Sequence, residues 1–491
     1  MAFIGQKLSI IVIAVVSSLF GLSWAISSPP GSASDEIYHL GSVWCAWGEN
    51  EICKFDGEPL ANGRRNITLT PEFSKAGCFR SDIDKINKSA KCYLDNTFQN
   101  ERFAWEMNSG NYPGLTYTIL RFFATNNVDL SVIIMRLFNY SLLTFLIILA
   151  FFALSFKTFY SSMLAIFLTL VPVSIFFLAS INPNSWTIIG LGFYWAFLWD
   201  LFDTANKNPN KLIYIGLFFS SIISIGSRSD ASIYITIINF IMLFYLIVSK
   251  TLRNQVKNII LIFFINTWAI IQFMFNQQFE AESASVNNQS DLNLILQNFK
   301  TLPIYFYGIF GGQGPKEWPF GLGWFDTPLP KIVPIVVFGN LILTCLMLVR
   351  IEHLKQKFFA YTLPFFIIAI PLIILQLRGS LAIYFLQPRY LLPLLIVFIG
   401  ILIINFDKFK YLNFLIYFNI FALSFANSIS LHTNIKRYTI GLDSKNNFYE
   451  LVEWWWDIPI SPFFVWMVGT LFLPILMYLV LLKLQVKKIH A

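Results

Sequence analysis

The sequence predicts an all-helical polytopic membrane protein, and three observations carry that expectation. The 491-residue chain is 56% hydrophobic and only 13% charged, with a mean hydropathy of +0.62, a balance foreign to soluble domains. Apolar runs long enough to cross a bilayer recur along its whole length. The basic residues punctuate those runs instead of clustering on one soluble face, so the formal charge of +8 does not point to nucleic acid.

Taken in order, the apolar runs fall at about 8–27, 132–154, 160–180, 185–203, 212–227, 230–249, 258–276, 331–349, 358–377, 390–405, 411–430 and 462–483. Judged by the ~20 residues a span needs, they amount to about twelve transmembrane helices. The first admits a second reading, a signal peptide ending in the small residues Gly31–Ser34. Its apolar core of about 19 residues exceeds the usual ~7–15, so an uncleaved helix is expected. The organisation is then a first helix (1–27), a polar loop subdomain (28–131), a bundle part (132–276), a second loop (277–330) and a second bundle part (331–491) that includes a loop at 431–461. Within the first loop, Phe98 to Leu120 is expected to form helices lying on the membrane surface. Alternate links carry Lys7, Lys157, Lys211, Lys250, Arg350 and Lys410, which by the positive-inside rule places both termini in the cytoplasm and the long loops outside.

Cys45, Cys53, Cys78 and Cys92 all lie in the first loop. An even set in one external loop predicts two disulfides, with three pairings open, and an oxidising compartment. The spacings lack the short paired pattern of a zinc site, so no metal is assigned to them. No phosphate-binding glycine loop is present.

The polar residues that interrupt apolar sequence share one expected depth, the outer rim. They are Asp35, Glu36 and His39 after the first helix, Asn182 and Asn184 around Pro183, Arg228 with Asp230, Trp324 and Asp326 in a Gly-rich turn, Arg378, and Arg389 with Tyr390. Such a set suits chemistry on a lipid-linked phosphate. Arginine matches phosphate in a forked geometry, so Arg389, Arg378 or Arg228 would bind the donor phosphate and stabilise it as it leaves. Asp35 or Glu36 would be the general base, one pKa raised by the other's charge. His39, one turn beyond Asp35 in a helix, would orient the acceptor or share the proton. Asn182, Asn184, Asp230, Trp324, Asp326 and Tyr390 would line the substrate site. A divalent cation, magnesium or manganese, bridging the carboxylates and the phosphate is an option, although no ligand set is visible. Each residue has a plainer reading. Asp35 serves as a helix N-cap, Tyr38 and His39 as interfacial anchors, Arg228 and Asp230 as a local ion pair, Arg389 as a snorkelling side chain and Asp326 as a turn residue. Trp454–Trp456 reads as an interfacial belt.

Four motifs in order resemble those of a family of bacterial polytopic membrane proteins of unknown function, itself similar to the GT-C class of polyprenyl-phosphate-dependent glycosyltransferases. They are Ser34-Asp35-Glu36-Ile37-Tyr38-His39, Asn182-Pro183-Asn184, the Phe320–Pro330 stretch with Gly323-Trp324-Phe325-Asp326, and Gln387-Pro388-Arg389-Tyr390-Leu391-Leu392-Pro393. Serine replaces the family's proline in the first motif and proline its glycine in the fourth. The second motif loses its carboxylate at Asn184, which argues against an essential acid there. The resemblance implies a GT-C-like fold in the bacterial inner membrane, with the base in the first external loop. It implies transfer of a sugar from a polyprenyl-phosphate donor to a cell-envelope glycan such as O-antigen, or to a lipid-linked acceptor, with inversion. The alternatives are a polymerase or ligase of lipid-linked glycans and a non-enzymatic transporter or flippase. A transporter is expected to show pseudo-symmetric halves and broken helices at mid-membrane, which the sequence does not display.

Overall fold

The computed structural model describes residues 2–80, 88–95, 103–203, 209–276, 292–312, 314, 320–445 and 453–483. Helix α1 (Ala2–Ala25) leads through a buried link to helix α2 (Glu36–Trp44). A three-stranded antiparallel sheet follows in the order β1 (Cys53–Phe55), β2 (Arg64–Leu69), β3 (Phe103–Asn108), with the single turn α3 (Lys91–Leu94) between β2 and β3 and the short α4 (Leu115–Leu120) after them. The bundle is built from α5 (Val128–Ala153), α6 (Phe156–Leu170), α7 (Val173–Leu178), α8 (Asn184–Leu201), α9 (Lys211–Ile225), α10 (Ser229–Val248) and α11 (Val256–Phe275). It continues with α12 (Leu292–Ile309), α13 (Ile332–Leu348), α14 (Leu354–Leu377), the turn α15 (Ala382–Phe385), α16 (Pro388–Leu402), α17 (Leu412–Thr439) and α18 (Pro462–Tyr478).

Each expected apolar run holds a helix. Among the described residues seven helical segments are long and apolar enough to cross a membrane, those of α1, α5, α10, α11, α14, α17 and α18, while α6, α9, α13 and α16 are apolar but shorter. The bundle packs through small residues, as helices in lipid do. A Cβ on Gly190 of α8 would meet Ser224 Oγ of α9 at 2.0 Å, and one on Gly469 of α18 would meet Leu431 of α17 at 2.2 Å.

The structure departs from the sequence reading in five places. The run at 160–180 is two helices, because Pro172 has no N–H to continue α6 and α7 starts afresh after it. The expected loop 277–330 contains α12, half-buried on one face only; residues 277–291 lie outside the described set. The expected loop 431–461 is helical as far as Thr439, because the buried face of α17 is polar there and hydropathy hid it. Asn427 accepts from Trp24 Nε1 at 3.1 Å and Asn434 donates to Ser27 Oγ at 2.8 Å. Within Phe98–Leu120, residues 103–108 form a strand instead of a surface helix. Its alternation of Phe103, Trp105 and Met107 with Ala104, Glu106 and Asn108 has the period of two, and it pairs Trp105 with Ile67 and Glu106 with Asn66 of β2. Trp455 and Trp456 are buried instead of forming an interfacial belt, Trp456 Nε1 donating to the Ile26 carbonyl at 2.7 Å.

Of the three disulfide pairings, the chain adopts Cys45–Cys53 and Cys78–Cys92. The first ties the end of α2 to β1. The sheet therefore sits over α2, with Ile67 and Met107 in the core between them. Cys345 in α13 is a free thiol.

Candidate functional site

The site is built on the link between α1 and α2, and Arg136 of α5 fixes that link. Its Nη1 donates to the carbonyls of Ala25 and Ser28 at 2.8 and 2.7 Å, and its Nη2 to that of Pro29 at 2.9 Å. The remaining donors meet Glu36, Nε to Oε1 at 3.0 Å and Nη2 to Oε2 at 2.7 Å. Glu36 also accepts from the amides of Gly31, Ala33 and Ile181. It has no solvent exposure. A carboxylate so enclosed anchors the link to the bundle and has no lone pair left for a substrate.

Asp35, its neighbour, goes the other way. Its backbone is left-handed, φ 64° and ψ 1°, and its side chain makes no capping bond to α2. That conformation costs most residues about 1–2 kcal/mol, less for Asp and Asn. The turn directs the carboxylate to Arg389, whose Nη2 donates to Oδ2 at 2.5 Å. The guanidinium is 1% exposed and the carboxylate 37%. Burial works to raise the Asp35 pKa, but Arg389, by its field and its hydrogen bond, prevails and holds it below the ordinary carboxylate range. The repulsion expected between Asp35 and Glu36 does not set this pKa, because each carboxylate has its own arginine.

Arg389 stands in the first turn of α16. Its Nε and Nη1 are buried and make no hydrogen bond of ordinary geometry with any described residue. Its guanidinium lies 5.4 Å from the Tyr390 ring centre, and Arg228 lies 4.7 Å from the same ring. Arg228 is held by Asp230 in a forked pair at 2.9 Å, so the local ion pair is real and lies within the cluster. His39 is buried among these groups, its Nδ1 2.9 Å from the Tyr117 hydroxyl. Burial, assisted by the two arginines and opposed by Asp35, pushes its pKa down to about 3, so the ring is neutral at pH 7.

The other candidates brace this centre or stand beside it. Asn182 donates to the Ser34 carbonyl at 2.9 Å, holding the residue before Asp35, and accepts from the Asn184 amide at 3.0 Å. Asn184 is buried, its Nδ2 bonded to no described residue. Trp324 Nε1 donates to the Gly31 carbonyl at 2.8 Å. Asp326 accepts from the Trp324 amide and faces Arg437 at 3.4 Å, so it closes the turn and pins it to α17. Gly323 in that turn has φ +68°, and a Cβ there would meet Asp326 Oδ1 at 2.3 Å. Tyr390 offers its carbonyl to Tyr234 at 3.1 Å. Arg378 caps the end of α14, half-buried, and does not line the cavity described next.

Asp35 lines a cavity of about 720 Å³ between the sheet, α2 and the Trp324 turn. Tyr38, Arg64, Arg80, Trp105 and Asn111 share its wall, and the sequence reading named none of them as ligand-binding. Arg64 pairs with Glu106 at 3.1 Å. Arg136 carries a sequence signal of its own, an arginine inside a long apolar run. Among the described residues no group of three or more His, Cys, Asp or Glu side chains could hold a metal ion.

No curated protein and no solved structure is significantly similar to the chain. Residues 18–399 match the family described as predicted membrane protein DUF2142, and the chain belongs to that family of membrane proteins.

Proposed function

We propose that the protein is a glycosyltransferase of the GT-C type that moves a sugar from a polyprenyl-phosphate donor to a cell-envelope glycan or lipid-linked acceptor. The observation that carries this reading is the Asp35–Arg389 pair, a carboxylate open to a cavity held by a buried guanidinium with donors to spare. Unsatisfied buried donors cost about 1–3 kcal/mol each, and a phosphate drawn to Arg389 and Arg228 relieves that cost. In the reaction the acceptor hydroxyl attacks the anomeric carbon, and the bond to phosphate oxygen breaks with its electron pair. The hydroxyl proton passes to Asp35, and polyprenyl phosphate leaves, its charge held by the arginines. Inversion follows from single displacement. As the phosphate takes Arg389, Asp35 loses the field that depresses its pKa and becomes a stronger base. His39, neutral, serves to position Asp35 and the arginines. The basic links support an inner-membrane orientation with both termini cytoplasmic, about twelve crossings, and the site on the outer face.

The test is transfer in membranes from radiolabelled polyprenyl-phosphate sugars at matched expression. Wild type transfers label to glycan; Asp35→Asn lowers transfer by about 10²–10⁴ and Arg389→Gln by about 10²–10³. Wild-type rates in both variants would falsify the assignment. Movement of intact lipid-linked sugar across the membrane without loss of label from the lipid would establish transport instead.

A further inference from the structure

We infer that the cavity beside Asp35 is a binding site for an acidic saccharide, whose carboxylate or phosphate pairs with Arg80. This deepens the transferase reading by naming the acceptor class, and rests on that reading only for the word acceptor.

Beside its carboxylates, Asp35, Asp56 and the Arg64-paired Glu106, the wall of the cavity offers a ligand two kinds of chemistry. One is the chemistry of sugar recognition: the rings of Tyr38, Trp105 and Trp324 with the amides of Asn66 and Asn111. Aromatic faces take the apolar side of a pyranose, and planar amides bond its hydroxyls in pairs. The other is a fixed cation. Arg80 lies 4.9 Å from the Trp105 ring centre and 4.5 Å from that of Trp324. Cation–π contact with two indoles immobilises the guanidinium. Trp324 is itself tied to the Gly31 carbonyl, and Trp105 sits in β3 opposite Ile67. The other arginine of the wall, Arg64, already has Glu106. Arg80 forms no ion pair or hydrogen bond with any described residue, and Asp35 is the carboxylate whose field it feels. A guanidinium fixed by rings, lining a cavity and with its fork unspent on any described residue, is an anchor for a planar or tetrahedral oxyanion.

The geometry also orders the two substrates. Both hydrogen bonds that the Asp35 carboxylate accepts from described residues fall on Oδ2, from Arg389 and from Ser34. The same carboxylate lines the cavity. A glycan in the cavity therefore meets Asp35 from the sheet side, and a donor phosphate at Arg389 meets it from the bundle side.

The experiment is calorimetric titration of the purified full chain, without donor, using three probes: tetragalacturonate, a glycerol-phosphate tetramer and neutral maltotetraose. Wild type binds one acidic probe at least tenfold tighter than maltotetraose, and which acid binds identifies carboxylate or phosphate. Arg80→Gln removes that preference, Arg80→Lys restores part of it, and added salt weakens it. Thermal unfolding of each variant verifies the fold. Equal binding of acidic and neutral probes, no binding of any probe, or an unchanged preference in folded Arg80→Gln overturns the inference. None of these readouts needs transfer. Binding without transfer leaves the cavity assignment standing and sinks the transferase, whereas transfer with an acceptor KM unmoved by Arg80→Gln does the reverse.

Discussion

Replacing the two adjacent carboxylates one at a time separates scaffold from chemistry. Glu36 accepts five hydrogen bonds, two on Oε1 from Arg136 Nε and the Ile181 amide, and three on Oε2 from Arg136 Nη2 and the amides of Gly31 and Ala33. Glu36→Gln keeps the shape but turns one oxygen into a donor. At least two donors then face another donor, and Arg136 is left buried without a counter-charge. Breaking a buried pair this way costs about 3–5 kcal/mol. Asp35→Asn keeps an oxygen for its one close partner, Arg389, in a side chain more than a third exposed. Asn also tolerates the left-handed backbone. What Arg389 loses is its counter-charge, at a carboxylate that solvent already screens, so the cost is about 1–3 kcal/mol. The assay is thermal unfolding of the purified chain in one detergent, beside transfer in membranes. At roughly 2 °C per kcal/mol, Glu36→Gln melts about 6–10 °C below wild type. Asp35→Asn melts closer to wild type yet loses transfer. If Asp35→Asn is the less stable variant, or if both lose transfer only in proportion to stability, the division of roles is refuted.

Three further outcomes follow from the same geometry. Asn182→Ala removes the brace on the Ser34 carbonyl; thermal unfolding is expected to show a loss of about 1–2 kcal/mol, with a lower kcat and little change in donor KM. For His39 the folded pKa of about 3 lies below its ordinary 6.5. The unfolded state therefore binds more protons between those values, and the contribution of neutral His39 to stability fades as pH falls through that window. The melting temperature of wild type should drop from pH 6.5 towards 4 more steeply than that of His39→Gln. Replacing Cys78 and Cys92 by serine opens a loop with a sequence separation of 14; chemical unfolding should register a loss of about 3 kcal/mol, and a loss under 1 kcal/mol would show that α3 is held by other contacts.

Much of the architecture could be read from hydropathy because lipid imposes a simple rule on helices, and the failures mark where that rule stops. Hydropathy hides the far end of α17 because its buried face there carries Asn434 and Arg437, held by α1 and the Asp326 turn. β3 is obscured because six residues of alternation are a faint signal beside aromatic content that also suits a surface helix. The stretch 34–39 was conspicuous because ionisable groups cluster at a helix end. What each does was not legible. Arg80 and Arg64 look like ordinary loop cations, and only the sheet register and the Trp324 turn bring them to one cavity. Pairing partners such as Arg136 for Glu36 and Arg389 for Asp35 stand 100 and 354 residues away, beyond any local pattern.

The left-handed residue at Asp35 makes the two roles compatible. In a regular helix start, consecutive side chains differ by about 100° and both would face the same buried link. The reversal at φ 64° lets Glu36 enter the bundle while Asp35 leaves it. Asp and Asn bear that conformation at least cost among residues with a side chain, and of the two only Asp can accept a proton at neutral pH. Fixing Glu36 also fixes the backbone from which Asp35 departs, so the carboxylate reaches cavity and guanidinium with little freedom to lose. Strain at a single residue, kept in place by the Arg136 clamp, is what the proposed role of Asp35 as a preorganised base would require. Asp35→Glu tests this directly. It keeps the charge, adds one methylene and fits the left-handed turn less well. A tethered base loses about tenfold or more in kcat, whereas a carboxylate needed only for its charge loses little.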